Sequence, residues 1–334
     1  MKIIVDNAIP YIHGRFPENV DVVYMSGKEI TKEIVRDADV LIVRTRTKCG
    51  EDLLKDSKIR LVVTATIGTD HIDMDWCETN GIKVRNAPGC NAPGVAQYVF
   101  SSLFKSGFNQ DKDILGIVGY GHVGSIVADW AQKMEIRTMI SDAPREEAGY
   151  KDVNYQTLEA ILKTCKAITL HVPLTTSGKY PTQGMVGEKE FELMQPGSIL
   201  INSSRGGVVE ENQLKNYIKE KGIKAVVDVW ENEPAIDEEL VNLALISTPH
   251  IAGYSSQGKM RATRMTLEAL NEELGIETDL TGLECKPDKS IKINRDVITA
   301  SYNPLTDSKN LLRDVSSFEK LRNEYNYRSE PLFR

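Results

Sequence analysis

Three side chains of types that transfer protons or bind carboxylates each follow a strand-like run of the sequence: Arg205, Glu233 and His250. Glu233 directly precedes Pro234, and His250 directly follows Pro249. Because proline has a fixed φ and biases the residue before it toward extended backbone, both corners are conformationally restricted. Restricted geometry of this kind suits a functional site, and it suits an ordinary loop equally well.

These residue types match the oxidation of a secondary alcohol. Such a reaction needs a base for the hydroxyl proton and a cation for the developing carbonyl or a neighbouring carboxylate. Histidine titrates near neutral pH and a carboxylate can fix its tautomer, so we predict that His250 is the base and Glu233 its partner. The planar fork of Arg205 would face a carboxylate. Each residue also has an ordinary structural interpretation, and Glu231 is the alternative carboxylate.

A glycine-rich turn predicts a nucleotide site. In "DILGIVGYGHVGSIVADWAQKM" the glycines Gly119, Gly121 and Gly124 follow a strand-like run and open a helix-like one. They would allow a tight turn, close approach of the backbone to a pyrophosphate, and close packing of helix on strand. His122 and Val123 lie at the helix N-terminus, which would face the anion. The alternative is a turn in a flavodoxin-like sheet that binds no nucleotide.

An acidic residue further along the chain favours NAD as the cofactor. Asp142 ends the next strand-like run, "RTMISD", where its carboxylate would accept hydrogen bonds from the adenosine ribose. The same carboxylate would repel a 2′-phosphate, which favours NAD over NADP. Arg145, three residues later, leaves NADP open as the alternative.

Strand-like and helix-like segments alternate along most of the chain, which predicts an α/β protein with parallel sheets. The pattern forms two sets, one ending near residue 88 and one from about 111 to 249. The helical segment after His250 could return the chain to the first set. Near the C-terminus, Phe318, Leu321 and Tyr325 would share one helix face. That apolar face would pack on the chain's own body or form a subunit interface.

Composition and net charge limit the kinds of partner and the cellular location that we expect. The chain has 334 residues and a net charge of -7, which disfavours nucleic acid as a partner. Its five cysteines form no CxxC pair, so we predict a reducing, cytoplasmic location and no structural metal. No run of residues is long and apolar enough to span a membrane, and we predict no membrane partner.

Four blocks, "VGYGHVG", "INSSRGGVVEENQL", "DVWENEP" and "TPHIAGYS", resemble in order and spacing the D-isomer-specific 2-hydroxyacid dehydrogenases. The resemblance implies two Rossmann-like domains with parallel sheets, a flavodoxin-like substrate domain and a dinucleotide-binding one, plus a small C-terminal dimerisation segment. The implied boundaries are residues 1–90 with 252–275 for the substrate domain, 91–251 for the NAD domain and 276–334 for the dimerisation segment.

The resemblance also assigns residues. It implies NAD-dependent catalysis by Arg205, Glu233 and His250. It places Asp228 and Gly253 beside Asp142 at the NAD site. It implies that the substrate contacts are Thr45, Thr66 and Tyr254.

Other stretches, among them "MKIIVDNAIPY", "TATIGTDHID" and "FEKLRNEYNYRSE", are similar to family members that act on a phosphorylated hydroxy acid in pyridoxine biosynthesis and form homodimers. We therefore expect a small phosphorylated substrate. In "VRTRTK" the cations Arg44, Arg46 and Lys48 alternate, so on an extended segment they would face one side and bind the phosphate. Arg313 in the tail is the alternative cation. Gln97 replaces the glutamate usual in relatives.

Two other functions stay open. One is a different D-2-hydroxyacid dehydrogenase, with a phosphoglycerate enzyme first among them. The other is a NAD-sensing protein similar to the dehydrogenase-fold corepressors, which would bind the cofactor without turnover.

Overall fold

The computed structural model describes residues 1–286 and 291–331. In these ranges the chain forms eleven strands: β1 (Lys2–Asp6), β2 (Asp21–Met25), β3 (Val40–Val43), β4 (Leu61–Thr64), β5 (Lys83–Arg85), β6 (Ile114–Val118), β7 (Arg137–Ser141), β8 (Ala167–Leu170), β9 (Ile199–Asn202), β10 (Lys224–Val227) and β11 (Ile246–Ser247). The same ranges hold fourteen α-helices: α1 (Lys32–Val35), α2 (Glu51–Leu54), α3 (Met74–Thr79), α4 (Ala92–Lys105), α5 (His122–Lys133), α6 (Ala143–Glu147), α7 (Leu158–Thr164), α8 (Glu188–Leu193), α9 (Glu211–Lys221), α10 (Glu238–Leu243), α11 (Ser256–Leu274), α12 (Arg295–Ser301), α13 (Pro304–Arg313) and α14 (Phe318–Asn323).

The chain divides into two compact units. The first comprises Met1–Asn91 and Ser255–Pro287, and the second comprises Ala92–Tyr254 and Asp288–Arg334. The predicted segment 276–334 is therefore not one continuous body: its first residues belong to the first unit and the rest to the second. Residues 287–290 and 332–334 of that segment lie outside the described residues.

The first unit is built on a five-stranded parallel sheet with the order β2-β1-β3-β4-β5. Its central strands read VLIV and LVVT and are buried throughout, as expected for parallel strands covered on both faces. This strand order is that of the flavodoxin-like doubly wound fold.

Helix α11 returns the chain to the first unit. Ser255 caps its N-terminus by accepting a hydrogen bond from the Gly258 N–H, and Gly275 ends it in a left-handed conformation with φ 65°. Its buried face carries Leu267 and Leu270, which pack in an apolar cluster with Ile3 and Val5 of β1. The helix predicted after His250 is thus part of the first unit.

The second unit is built on a six-stranded parallel sheet with the order β11-β10-β9-β8-β6-β7. The strand order reverses between β6 and β8, the place where doubly wound sheets bind ligands. Helix α4 is buried along most of its length, from Ala92 to Phe104, because this helix lies in the apolar cluster on one face of the sheet. The prediction of an α/β protein with two parallel, Rossmann-like sheets is confirmed.

The C-terminal residues 291–331 pack on the second unit. Ile298 of α12 lies in the cluster around α4, and Ser308 of α13 accepts a hydrogen bond from the Ser247 N–H in β11 at 3.0 Å. Phe318, 1% exposed, is buried in the cluster on the other face, and Leu321 packs against it. Helix α14 ends at Asn323, so Tyr325 lies beyond it and does not share its face.

The apolar stripe of this segment therefore covers the chain's own second unit, as the first of its two interpretations expects. The dimerisation role of the segment stays a prediction. Among the residues that the structure describes, no helix is both long and apolar enough to cross a membrane.

Replacing Phe318 with Ala tests whether this segment is integral to the second unit. We expect the free energy of unfolding to fall by about 3–5 kcal/mol, the usual cost of truncating a buried phenylalanine. Chemical denaturation of the full chain measures this change. Leu312→Ala is the matched control, because Leu312 lies in the same segment but is 41% exposed. Equal effects of the two substitutions would contradict the packing described.

Candidate active site

The glycine turn after β6 has the geometry that a dinucleotide needs. Gly119 has φ +92°, and a Cβ atom there would lie 2.6 Å from the carbonyl oxygen of His171. A Cβ on Gly124 would lie 1.9 Å from the Gly119 oxygen, so the start of α5 packs directly on the turn. Gly121, by contrast, faces open space with nothing within 4 Å of its Cβ position. The backbone there is accessible to a pyrophosphate, and α5 begins at His122 with its N–H groups directed to the same place.

Asp142, which directly follows β7, supports this turn. One carboxylate oxygen accepts from the Tyr120 N–H at 2.7 Å, and the other accepts from the Arg145 N–H at 3.1 Å. The guanidinium of Arg145 forms an ion pair with Asp152 at 2.7 Å and lies over the Tyr150 ring, 4.1 Å from its centroid. Because Arg145 is already neutralised by Asp152, the arrangement favours the NAD interpretation of this loop over the NADP one.

Three neighbouring parallel strands bring Arg205, Glu233 and His250 to one edge of the sheet. Strands β9, β10 and β11 pair in that order, and each residue lies in the loop that follows one of them. The first two loops are in direct backbone contact, since a Cβ on Gly206 would lie 2.0 Å from the Trp230 oxygen. The carboxyl ends of doubly wound strands are where ligands bind.

Glu233 and His250 form a hydrogen-bonded couple. The His250 Nδ1 lies 2.8 Å from one carboxylate oxygen and 3.0 Å from the other. Glu233 is also fixed by the Trp230 N–H, which donates to it at 3.1 Å. The Glu233 side chain is 17% exposed and that of His250 31% exposed, so the imidazole is the more accessible partner. His250 itself has φ 55°, an uncommon conformation for a residue with a side chain.

The surroundings of Glu233 keep it ionised. Burial acts to raise the pKa of its carboxyl, but the hydrogen bond and charge of His250 act against burial. The nearby Arg322 charge and the Trp230 N–H add to this, and the pKa of Glu233 lies below its usual value. An ionised carboxylate on Nδ1 leaves Nε2 as the atom that can accept a substrate proton.

Glu231, the alternative carboxylate, is turned elsewhere. Its carboxylate accepts from the Glu211 N–H at the start of α9, at 3.5 Å, and its own N–H donates to the Glu211 carboxylate at 2.7 Å. Burial raises the pKa of Glu211 to about 7. Glu233, rather than Glu231, is therefore the partner of His250.

Asp228 fixes the turn that carries His250. Its carboxylate is 1% exposed and accepts from the Thr248 hydroxyl at 2.6 Å. It also accepts from the N–H groups of Ile251 at 2.8 Å and Ala252 at 2.9 Å. Gly253 follows on the same turn. The assignment of Asp228 and Gly253 to the NAD site stays a prediction; the contacts of Asp228 within the chain are structural.

Arg205 lies half-buried just beyond β9. The Asn202 side-chain amide donates to the Arg205 carbonyl oxygen at 3.1 Å. The side-chain oxygen of Asn202 accepts from the Ser204 N–H. These bonds fix the loop backbone. One guanidinium nitrogen donates to the Ser204 carbonyl at 2.8 Å.

The first unit carries the predicted substrate residues at the corresponding edge of its own sheet. Thr45 is exposed after β3, and Thr66 lies just beyond the neighbouring β4. The Thr66 hydroxyl is 2.7 Å from that of Thr64, which in turn is 3.1 Å from the His71 Nε2. Their substrate roles stay predictions.

The proposed phosphate cations are not arranged as the sequence predicted. The segment after β3 forms a turn, in which the Thr47 N–H donates to the Arg44 oxygen at 3.3 Å, so alternation along an extended strand does not apply. Arg44 forms a two-pronged ion pair with the fully buried Asp6, at 2.9 and 3.3 Å. Arg46 lies half-buried in the turn and Lys48 is exposed. The alternative tail cation, Arg313, is exposed at the end of α13.

Two other tail arginines contact the site, and sequence reasoning missed both. Arg322 of α14 lies 3.6 Å from the Glu233 carboxylate and donates to the Tyr254 hydroxyl at 3.2 Å. Arg328, 9% exposed, donates to the carbonyl oxygens of Ile251 at 2.9 Å and Tyr254 at 3.2 Å. The stretch "FEKLRNEYNYRSE" contains both arginines, but no motif or local spacing connects them with Glu233.

Metal ligation has no candidate among residues 1–286 and 291–331, where no three His, Cys, Asp or Glu side chains form a group that could hold an ion.

Comparison with known proteins identifies the family. The model of the family described as "D-isomer specific 2-hydroxyacid dehydrogenase, NAD binding domain" matches residues 98–252. A protein of Bacteroides fragilis named erythronate-4-phosphate dehydrogenase is 45% identical over 340 residues, covering 99% of this chain and 97% of that protein. One of Porphyromonas gingivalis with the same name is 37% identical, covering 97% and 92%. The chain belongs to the D-isomer specific 2-hydroxyacid dehydrogenase family.

Solved structures share the fold. The NAD⁺-bound 3-phosphoglycerate dehydrogenase of Entamoeba histolytica gives a TM-score of 0.66 at 24% identity, covering 84% of this chain and 97% of that one. The D-lactate dehydrogenase of Aquifex aeolicus, solved with NAD and lactic acid, gives 0.64 at 24% identity, covering 82% and 96%. As a member of this family, the chain is an NAD-dependent dehydrogenase that acts on a CH–OH group, and the prediction of NAD is confirmed.

Two glycine substitutions separate cofactor binding from folding. Gly121→Ala adds a methyl group where the protein has open space, so we expect an unchanged Tm but NADH binding weakened about tenfold or more. Gly124→Ala meets the Gly119 oxygen, so we expect both a lower Tm and weaker binding. Fluorescence titration with NADH and thermal unfolding measure the two effects. Normal NADH affinity in Gly121→Ala would exclude this turn as the pyrophosphate site.

Proposed function

We propose that this chain oxidises 4-phospho-D-erythronate to (R)-3-hydroxy-2-oxo-4-phosphooxybutanoate with NAD, as a step of pyridoxine biosynthesis. The single observation that carries the chemistry is the Glu233–His250 couple at the sheet edge that also carries Arg205. The substrate is supported by the name that the relatives of Bacteroides fragilis and Porphyromonas gingivalis share.

In this proposal His250 is the base. Its Nδ1 is engaged by Glu233, so Nε2 accepts the proton of the C2 hydroxyl, and the ionised Glu233 stabilises the imidazolium that results. Arg205 binds the substrate carboxylate and stabilises the developing carbonyl. When bound, NAD supplies the acceptor for the two electrons released at C2.

The residues that would hold NAD fit a dinucleotide. Gly119, Gly121 and Gly124, with the start of α5, would receive the pyrophosphate, and Asp142 would bind the adenosine ribose. Asp142 already accepts two backbone hydrogen bonds, and a carboxylate has room for more acceptor contacts. Asp228 would act by fixing the turn that carries His250 and Gly253.

Thr45, Thr66, Arg44, Arg46 and Tyr254 remain the proposed substrate contacts. Arg44 is bound by the buried Asp6, and Arg46 is the cation of this turn that we propose for the phosphate. The homodimer and the cytoplasmic location stay predictions from the sequence.

Assays of the purified chain with NAD on a panel of phosphorylated and unphosphorylated 2-hydroxy acids test the reaction. We expect 4-phospho-D-erythronate to give the highest kcat/KM. A higher value for 3-phosphoglycerate would identify the alternative dehydrogenase. The absence of turnover on any hydroxy acid, with NADH still bound, would identify a NAD sensor.

His250→Gln tests the base within the same assay. We expect turnover to fall about 10²- to 10⁴-fold, because the amide cannot accept the proton, while NADH affinity stays within about twofold. Turnover at the wild-type rate would remove His250 from the mechanism.

Arg46→Ala tests the phosphate contact. Because a charge-assisted bond to phosphate is worth about 1.5–3 kcal/mol, we expect KM for 4-phospho-D-erythronate to rise about tenfold or more with NADH affinity unchanged. Lys32→Ala removes the same charge from an exposed site of the first unit and should change neither constant. An unchanged KM in Arg46→Ala would withdraw the assignment.

A further inference from the structure

The Glu233–His250 couple has a third member that comes from the C-terminal tail. The guanidinium of Arg322 lies 3.6 Å from the Glu233 oxygen that also faces His250, and its side chain is 18% exposed. Its Nε donates to the hydroxyl of Tyr254 at 3.2 Å. One cation thus joins the carboxylate of the proposed base pair to the ring that follows the His250 turn.

We propose that Arg322 is a positioning residue for the reaction, which holds the Glu233 carboxylate against His250 and fixes the Tyr254 ring beside it. This inference rests on the proposed roles of Glu233 and His250. Arg322 would act through Glu233 rather than by touching the reacting atoms.

The geometry explains why a cation is needed there. The Glu233 carboxylate is largely buried, and a buried charge is costly unless it is paired and hydrogen-bonded. The Trp230 N–H binds one oxygen, and the imidazole of a neutral His250 offers only a hydrogen bond. Arg322 places a full positive charge beside Glu233 that is present while His250 is still neutral and able to accept a proton.

The chain that follows α14 secures this placement. Arg328 is buried and donates to the carbonyl oxygens of Ile251, Ala252 and Tyr254 in the turn after His250. It also donates to Gly94 at 3.0 Å, at the start of α4. With this anchor beyond it, α14 has a fixed distance from the turn, so Arg322 can hold one orientation toward Glu233.

The charges facing Glu233 give the sign of a pH effect. His250 faces it from the loop after β11 and Arg322 from α14, while Asp228, buried after β10, acts on both of these. Adding a proton to the couple is opposed by the Arg322 cation. Without that cation the couple binds its proton at higher pH, so the acidic limb of the oxidation rate moves to higher pH. The alkaline limb of the reverse reduction moves the same way.

The test compares Arg322→Gln and Arg322→Lys with the wild-type chain. For Arg322→Gln we expect kcat for oxidation to fall about 10- to 100-fold, as misplaced catalytic groups cause, with KM within about twofold and the acidic limb at higher pH. For Arg322→Lys, which keeps the charge but not the fork, we expect a reduced kcat with the limb close to the wild-type position. Lys320→Gln removes a charge from an exposed residue of the same helix and should change nothing.

The proposal is overturned if Arg322→Gln folds and the acidic limb of its oxidation rate does not move. It is also overturned if the effect is confined to KM, which would make Arg322 a substrate contact. An equal shift of the acidic limb in Lys320→Gln would overturn it as well. If Arg322→Gln fails to fold, the kcat of Arg322→Lys is the deciding measurement. A wild-type kcat in Arg322→Lys would then overturn the proposal. His250→Gln is assayed in parallel. If it retains turnover, the proposed base has failed; if it loses turnover while Arg322→Gln behaves as wild type, only this inference has failed.

Discussion

The buried carboxylate of Asp228 is the interaction on which the site depends. Burial raises its pKa, while the Thr248 hydroxyl and the N–H groups of Ile251 and Ala252 act in the opposite direction. Hydrogen bonds to a charged group are worth about 1.5–3 kcal/mol each, so these contacts fix the turn strongly. His250 is held in its left-handed conformation at the centre of this turn, and such backbone strain persists only where the surroundings determine it. The direction of the imidazole follows from a carboxylate that need not touch the substrate.

Charge balance around this turn is shared between distant parts of the chain. Two buried or half-buried carboxylates, Asp228 and Glu233, are matched by two arginines of the tail, Arg322 and Arg328. Gln97 completes the set: its side-chain oxygen accepts from Arg328 at 3.0 Å. A glutamate at this position would bring a further buried negative charge. The neutral amide of Gln97 keeps the hydrogen bond to Arg328 without neutralising its charge. The charged Arg328 guanidinium also binds the carbonyl oxygens of the turn after His250.

The sequence predicted what is encoded locally. Parallel strands appear as short runs of β-branched residues, the turn after β6 as three spaced glycines, and the hydrogen-bonded Glu233–His250 couple as a carboxylate and an imidazole at two proline corners. It could not predict what depends on tertiary packing. Arg322 and Glu233 are far apart along the chain and share no motif. The alternation in "VRTRTK" suggested an extended strand, but the chain turns there, and Asp6 binds Arg44. The sequence spacing predicted that Phe318 and Tyr325 share one helix face, but α14 ends at Asn323, between them.

The backbone contact at Gly206 limits how this enzyme can vary. With the Trp230 carbonyl oxygen only 2.0 Å from where a side chain would begin, the Arg205 loop and the Glu233 loop fit against each other without a gap. Inserting or deleting a residue in either loop would displace its neighbour and, with it, a member of the proposed catalytic set. New substrate preferences are therefore most accessible through side-chain replacement around unchanged loops, and much less so through changes in loop length.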